Sequence, residues 1–134
     1  MVRISALLFS LCFLLCARGA QADWNPAAYL EVDTLEFRTD CPDEGEYWSP
    51  VWLNVLDGDV YVALGKPANA RVQCNSNKPF SAVKIAGETF PKVRLVPAPA
   101  MGERIEADRD EKYFMNILFG MFHHEYYKLV PSED

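Results

Sequence analysis

The sequence predicts a small domain that is mainly β with some α. The strongest observation is a pair of apolar, β-branched and aromatic runs that meet at Asp57-Gly58, because Asp-Gly supplies the positive φ angles of a type I′ hairpin turn. Alternating runs on either side of Gly87-Glu88 predict a second hairpin. An isolated hairpin is not stable in water, and the apolar helical pattern that follows Asp108 offers a helix to cover the sheet.

Residues 1–22 predict a secretory signal peptide rather than part of the fold. A short positive start at Met1-Val2-Arg3 leads into an apolar run over 4–16, and Ala20-Gln21-Ala22 has the small residues that precede a cleavage site. The apolar run is shorter than the roughly 20 residues of a transmembrane helix. We therefore expect cleavage after Ala22, no membrane span in the mature protein, and a secreted or periplasmic location.

Residues 23–134 suffice for one domain with a hydrophobic core and are too few for two. The whole chain has a formal net charge of -6, and loss of Arg3 and Arg18 with the signal peptide makes the mature domain more acidic still. An acidic domain has no overall electrostatic attraction for nucleic acid or anionic lipid. We therefore expect no nucleic-acid partner, and solubility is the simplest explanation of the charge.

The chain has four cysteines. Cys12 and Cys16 lie in the signal peptide and raise the question of a lipoprotein, but each follows a leucine, whereas lipidation signals usually carry Gly or Ala there. Cys41 and Cys74 flank the central hairpin, and outside the cytoplasm such a pair is a disulfide candidate. The bond would add roughly 3 to 4 kcal/mol of stability. The alternative is two separate buried thiols that pack as small hydrophobic groups.

Strand patterns dominate the first half of the predicted domain. We predict a strand over 36–38 and then a turn over 39–46, which is rich in Asp, Pro and Gly. Both faces of the hairpin strand around Trp52 are largely apolar, which suits a closed barrel or a sheet under a second layer. Trp52 and Tyr61 are large enough to line a pocket or a subunit contact, although core packing is the simpler role for each.

The segment 68–75 breaks the strand pattern and predicts one or two helical turns. Lys66 and Arg71 lie on or beside it, and basic side chains near the free N–H groups of a helix start make an anion site. The alternative is that two scattered basic residues are ordinary surface.

The C-terminal part predicts a bulge, a helix and a closing strand. Pro91 lacks an N–H donor and marks a strand edge or a bulge. Asp108 with Glu111 three residues later has the pattern of a helix N-cap, after a shorter helical piece over 102–107. The helix then presents one apolar face, formed by Tyr113, Phe114, Ile117, Leu118 and Met121. An alternating run over 123–130 predicts the closing strand.

No catalytic residue can be assigned from the sequence. His123 and His124 are the two histidines, and adjacent strand residues point to opposite faces, so they make a poor joint metal site. One of them alone would suit haem iron, but a structural histidine is the simpler interpretation. The acidic turn over 40–46 lacks the alternate-position spacing of a Ca²⁺ loop. We therefore predict no metal site.

The order of these motifs resembles the flavin- and deazaflavin-binding split β-barrel family, which includes pyridoxamine-phosphate-oxidase-like and nitroreductase-like proteins. The similarity runs from about Leu35 to Val130. It rests on Phe37-Arg38-Thr39, on Pro50-Val51-Trp52, and on the polar segment 71–75.

The resemblance implies a six-stranded antiparallel split β-barrel with one or two helices, often a homodimer. FMN or a deazaflavin would lie in a groove at the subunit interface, with its phosphate held by basic and hydroxyl groups. By position, the residues that would line this groove are Arg38, Thr39, Trp52, Lys66, Arg71 and Asn75. The chain departs from the family directly after Thr39, where Asp40-Cys41-Pro42-Asp43-Glu44 would repel a phosphate.

Two functions are compatible with these patterns. One is an exported flavin- or deazaflavin-dependent oxidoreductase, in which the cofactor supplies the hydride chemistry. The alternative is an exported non-enzymatic module that has lost the cofactor and binds a small molecule or another protein. The family resemblance favours the first, and the acidic turn and the signal peptide favour the second.

Overall fold

The protein folds as a closed β-barrel with two helices. The structure, a computed structural model, describes residues 23–112 and 124–132. Six antiparallel strands close in the order β1-β2-β3-β6-β5-β4, which confirms the predicted fold class. The strands are β1 Thr34–Cys41, β2 Gly45–Leu56, β3 Asp59–Leu64, β4 Phe80–Ile85, β5 Glu88–Pro97 and β6 Glu125–Pro131. The helices are α1 Lys66–Cys74 and α2 Gly102–Lys112, with single 3-10 turns at Pro26–Tyr29 and Pro99–Met101.

Three features predicted from the sequence lie outside the described residues. They are the signal peptide with its cleavage site, the apolar helix face from Tyr113 to Met121, and His123.

Two of the hairpins turn at paired residues with positive φ. Asp57 and Gly58 have φ of 53° and 80°, which confirms the predicted type I′ turn. The second hairpin turns at Ala86 and Gly87, with φ of 53° and 79°, one residue earlier than predicted. The shift places Gly87 at the second turn position, which Gly58 occupies in the hairpin of β2 and β3. A residue with a side chain would be strained at this position.

The hairpin of β1 and β2 is longer than predicted. β1 and β2 pair from Thr34 with Trp52 to Cys41 with Gly45, so the predicted turn over 39–46 was wrong in extent. The turn itself is 42–44, closed by the Glu44 N–H donating to the Cys41 carbonyl at 3.1 Å. The strand continues because β1 keeps alternating between exposed and buried side chains to its last residue.

The barrel interior is filled by side chains from all six strands. Phe37, Leu53, Val60, Val83 and Val93 are all at most 1% exposed, and each such burial stabilises the fold by about 1.5 to 3 kcal/mol. The β4–β5 pairing steps from Val83 with Phe90 to Ser81 with Val93, which puts one extra residue on β5 beside Pro91. This confirms the predicted bulge.

The strand pairing opens between β2 and β3. β2 pairs with β3 only from Leu53 to Leu56, whereas its first eight residues pair with β1 alone. The last two residues of β3, Ala63 and Leu64, pair with β6 and not with β2. α1 begins directly after β3 and lies beside this opening, so it closes the barrel where backbone pairing does not.

α2 forms a second layer on the outside of the barrel. Ile105 is fully buried against Tyr61 and Ala63 of β3. The helix begins at Gly102, so the predicted N-cap at Asp108 was wrong. Asp108 lies inside the helix, where its Oδ2 accepts a hydrogen bond from Asn54 Nδ2 at 2.6 Å. The carboxylate is therefore used by a distant strand rather than by its own helix.

α1 is fastened to the end of β1 by a disulfide. Cys74, the last residue of α1, is bonded to Cys41, the last residue of β1, with the two Cα atoms 5.2 Å apart. This confirms the predicted pair. α1 is also held to β6, where the Tyr127 hydroxyl donates to Asn69 Oδ1 at 2.6 Å and accepts from Gln73 Nε2 at 3.1 Å. Burial raises the pKa of Tyr127 above its ordinary value.

The amide of Asn75 reinforces the same junction. Its Oδ1 accepts from the backbone N–H of Asp40 at 3.0 Å and from that of Asn77 at 3.3 Å. Its Nδ2 donates to the Phe80 carbonyl at 2.9 Å and to Ser81 Oγ at 3.4 Å. Asn75 is 6% exposed, so one buried side chain joins the end of α1 to both β1 and β4.

The disulfide is expected to supply a large part of the stability. Replacing both Cys41 and Cys74 with Ala should lower the free energy of unfolding by about 3 to 4 kcal/mol, because the bond closes a loop between residues 33 apart. Urea denaturation measures the change. Dithiothreitol should lower the wild-type value to that of the double variant and leave the variant unchanged; a wild type insensitive to reductant would contradict the bond.

Asn75→Ala is expected to lower the free energy of unfolding by about 2 to 4 kcal/mol, since it removes a buried amide together with its hydrogen bonds to the partly buried backbone groups of Asp40 and Phe80. Asn77→Ala is the matched control, because that side chain is exposed, and its cost should stay below about 0.5 kcal/mol. Equal effects of the two substitutions in thermal or urea unfolding would show that the Asn75 hydrogen bonds do not stabilise the junction of α1 with β1 and β4.

Candidate functional site

The opening between β2 and α1 forms a groove of about 480 Å³. We call it the split groove. It is lined by Thr34, Ser49, Pro50, Val51, Trp52, Ala63, Gly65, Pro67, Ala68 and Arg71. The strands contribute one wall and the first turns of α1 contribute the other. Its volume is within the range of about 300 to 1,000 Å³ that is typical of small-molecule sites.

The lining is small and largely apolar. Val51 and Trp52 are half-buried on the β2 side, and Ala63 and Ala68 face them from β3 and α1. Helix α1 begins with Pro67 in its first turn and has no acidic residue there. A ligand would therefore gain most of its affinity from burial of apolar surface, at roughly 25 cal/mol per Å².

Ser49 places a hydroxyl in this apolar lining that has no partner in the described chain. The residue is 2% exposed, and its Oγ makes no hydrogen bond. It lies opposite Phe37 in the β1–β2 register, on the inward face of the strand. A buried polar group without a partner costs about 1 to 3 kcal/mol, and Ser49 is at the same time one of the residues that line the groove.

Arg71 is the charged residue of the lining, and Glu44 neutralises it. The Arg71 Nε donates to Glu44 Oε1 at 2.9 Å, and Nη2 donates to Oε2 at 3.4 Å. The guanidinium also stacks on the Tyr47 ring, 3.9 Å from the centroid. The hydrogen bonds to Glu44 raise the pKa of Arg71 further above its ordinary value. This end of the groove is therefore polar but close to neutral.

The six residues predicted to line a cofactor groove do not lie together. Trp52 and Arg71 line the split groove, and Lys66 is exposed beside it, between Gly65 and Pro67. The other three lie elsewhere.

Thr39 is 1% exposed, and its Oγ1 has no partner in the described chain, but it does not line the groove. Asn75 is used in the junction of α1 with β1 and β4. Arg38 lines a different pocket on the outside of the barrel, together with Phe80 and Lys92. The sequence reasoning missed Ser49, although the alternation of Val51, Leu53 and Val55 extends back to it on the same face of β2.

The described groove does not gather the predicted cations around one phosphate position. A phosphate needs uncompensated cations or several N–H donors. Arg71 is already held by the carboxylate of the acidic turn, and Arg38 lies in another pocket. The bound flavin implied by the resemblance stays a prediction.

Three further observations concern the histidine, metal binding and membranes. His124 Nδ1 lies 3.5 Å from Glu106 Oε1, which also accepts a hydrogen bond from the Tyr126 hydroxyl at 2.9 Å. Among residues 23–112 and 124–132, no three His, Cys, Asp or Glu side chains come together as a metal site would require. Neither helix in these ranges combines the length and the apolar character needed to cross a membrane.

Comparisons with known proteins leave the family open. No protein-family model matches the chain, and no curated protein matches it either. The closed six-stranded barrel is established by the structure, whereas the resemblance to split-barrel flavoproteins remains a prediction from sequence motifs.

Proposed function

We propose that this protein is an exported, non-enzymatic binding module whose split groove holds a small uncharged ligand. The ligand has a largely apolar body and one polar group that reaches Ser49. The observation that carries the proposal is the unpartnered Ser49 hydroxyl, 2% exposed, in the lining of a groove of about 480 Å³.

The lining supports this ligand class in two ways. Val51, Trp52 and Ala68 offer apolar surface to the body of the ligand, and Ser49 offers one donor and one acceptor to its polar group. The Ser49 hydroxyl is already buried without a partner among the described residues. A hydrogen bond to the ligand therefore requires no further desolvation of this group.

The Arg71–Glu44 pair supports an uncharged ligand. An anion at this end would have to compete with a carboxylate that makes two hydrogen bonds to the guanidinium. It would also meet Asp43 in the β1–β2 turn, and Asp40 and Glu46 in the adjoining ends of the two strands. Each raises the electrostatic cost of a second negative charge nearby.

A flavin-dependent oxidoreductase is the second candidate, and Trp52 favours it. The indole lies in the lining, where an aromatic side chain would stack on an isoalloxazine ring. In that case the ring would occupy the groove and the cofactor would supply the redox chemistry.

Ser49→Ala is expected to raise stability and weaken binding together. Removing the unpartnered hydroxyl should raise the free energy of unfolding by about 1 kcal/mol. It should also lower the fraction of protein that carries a co-purified small molecule, measured by native mass spectrometry. Ser76→Ala is the contrast, because Ser76 Oγ donates to the Asp40 carbonyl at 2.8 Å, so its loss should lower stability by about 1 kcal/mol. A destabilised Ser49→Ala would show that the hydroxyl has a partner within the protein.

Ala68→Phe is expected to fill the split groove and remove the co-purified ligand. Ala70→Phe is the matched control, since Ala70 is exposed on the same helix and does not line the groove. Both variants add a phenyl ring to α1, so helix propensity changes equally. Loss of ligand from both variants, or from neither, would place the ligand elsewhere.

The same preparations are titrated with riboflavin and FMN, with tryptophan fluorescence as the readout. If the groove holds an uncharged ligand, FMN should bind no more tightly than riboflavin. FMN binding at least tenfold tighter, lost in Ala68→Phe and kept in Ala70→Phe, would overturn the proposal in favour of the oxidoreductase.

A further inference from the structure

A second surface of the barrel concentrates basic side chains on an acidic protein. It lies on the outer faces of β1, β4 and β5, away from the split groove. We call it the basic face, and it comprises Arg38, Lys84, Lys92 and Arg94. The chain as a whole has a formal net charge of -6, so this local positive charge runs against the overall composition.

The cations of the basic face form no ion pairs with the described residues. Three cations elsewhere are paired: Arg71 with Glu44, Arg104 with Asp57, and Lys128 with Asp59. Within the part of the chain that the structure describes, no carboxylate lies within 4 Å of any basic-face cation. Two acids share this surface. Glu36 is opposite Lys84 in the β1–β4 register, and Asp40 follows Arg38 by two residues on the same face of β1. Neither forms an ion pair with the basic-face cations.

Aromatic rings support three of these cations. The Lys84 Nζ lies 3.8 Å from the centroid of Trp48. The Lys92 Nζ and the Arg94 guanidinium lie 4.6 Å and 5.9 Å from the centroid of Phe80. Such contacts are worth roughly 0.5 to 1 kcal/mol at exposed sites. They hold the side chains in place but leave their charges uncompensated, so less rotamer entropy is lost when an anion binds.

Two of the cations share a concave site. Arg38 and Lys92 line one pocket of about 290 Å³, with the small Ala82 between their strands and with Asn77 and Phe80 beside them. Like charges that line one pocket repel, and a bound anion offsets that repulsion because it attracts both cations. The guanidinium fork of Arg38 matches a carboxylate, which it can bind through two parallel hydrogen bonds.

We propose that the basic face is a docking surface for an acidic segment of another protein. One carboxylate enters the Arg38–Lys92 pocket, and its neighbours along the segment meet Lys84 and Arg94. Because the rest of the chain is acidic, a short acidic segment fits this face better than an extended polyanion does. An extended polyanion, such as an anionic membrane or a nucleic acid, would also meet the remaining carboxylates, whereas a segment confined to this face lies within about one Debye length, 8 to 10 Å, of its cations.

The test uses the purified protein and a hexaglutamate peptide as the probe. Titration at 50 mM salt, followed by NMR amide shifts, should show saturable binding with the largest shifts on β1, β4 and β5. Raising the salt to 200 mM should weaken binding at least threefold. The double variant Lys84→Gln with Lys92→Gln should weaken it at least tenfold.

The matched control is the double variant Lys66→Gln with Arg104→Gln. It changes the net charge by the same amount, but Lys66 and Arg104 lie on α1 and α2 rather than on β1, β4 or β5. Its affinity for hexaglutamate should stay within twofold of the wild type. Equal weakening by both double variants would show attraction to overall charge and overturn the proposal.

Two further outcomes would also overturn it. One is the absence of saturable hexaglutamate binding at 50 mM salt. The other is tighter binding, lost in the Lys84 and Lys92 double variant, to vesicles with one third anionic phospholipid, which would assign the face to a membrane surface.

Discussion

The attachment of α1 to the end of β1 is the constraint on which the rest of this structure depends. Backbone pairing between β2 and β3 stops at Leu53, so the sheet alone does not close the barrel at this end. α1 takes the place of the missing pairing, and it stays there through the Cys41–Cys74 bond and the Asn75 amide. Since the split groove lies between β2 and α1, the same attachment fixes the width of the candidate site.

This constraint explains why residues that resemble a phosphate site are used otherwise. The acidic turn that follows β1 brings Glu44 to Arg71, which adds an ion pair to the covalent link between the same two elements. Asn75 satisfies backbone groups of β1 and β4. These polar groups therefore bond to other parts of the fold and not to a ligand. The groove keeps an apolar lining with one unpartnered hydroxyl, that of Ser49, which would orient a ligand.

Local chemistry made much of the fold predictable, and contacts between distant residues did not follow from the sequence. Asp57-Gly58 predicts its turn because the positive φ angles are a property of those two residues. Asp108 has the local pattern of an N-cap, but its partner is Asn54, on a strand 54 residues earlier. The ion pair of Arg71 with Glu44 likewise joins residues 27 apart. Ser49 could have been found by extending the alternation of β2, whereas its lack of a partner is a property of the folded chain.

The alternation of β1 separates the two surfaces that the sequence motif joins. Adjacent strand residues point to opposite faces, so Phe37 and Thr39 lie in the interior while Arg38 lies outside, in the pocket with Lys92. A site that used both Arg38 and Thr39 would need a ligand on both sides of one strand. Thr39 is therefore confined to the interior, whereas Arg38 can contact only a molecule outside the barrel. The alternation of β1 thus argues against a single site that combines these two residues of the motif.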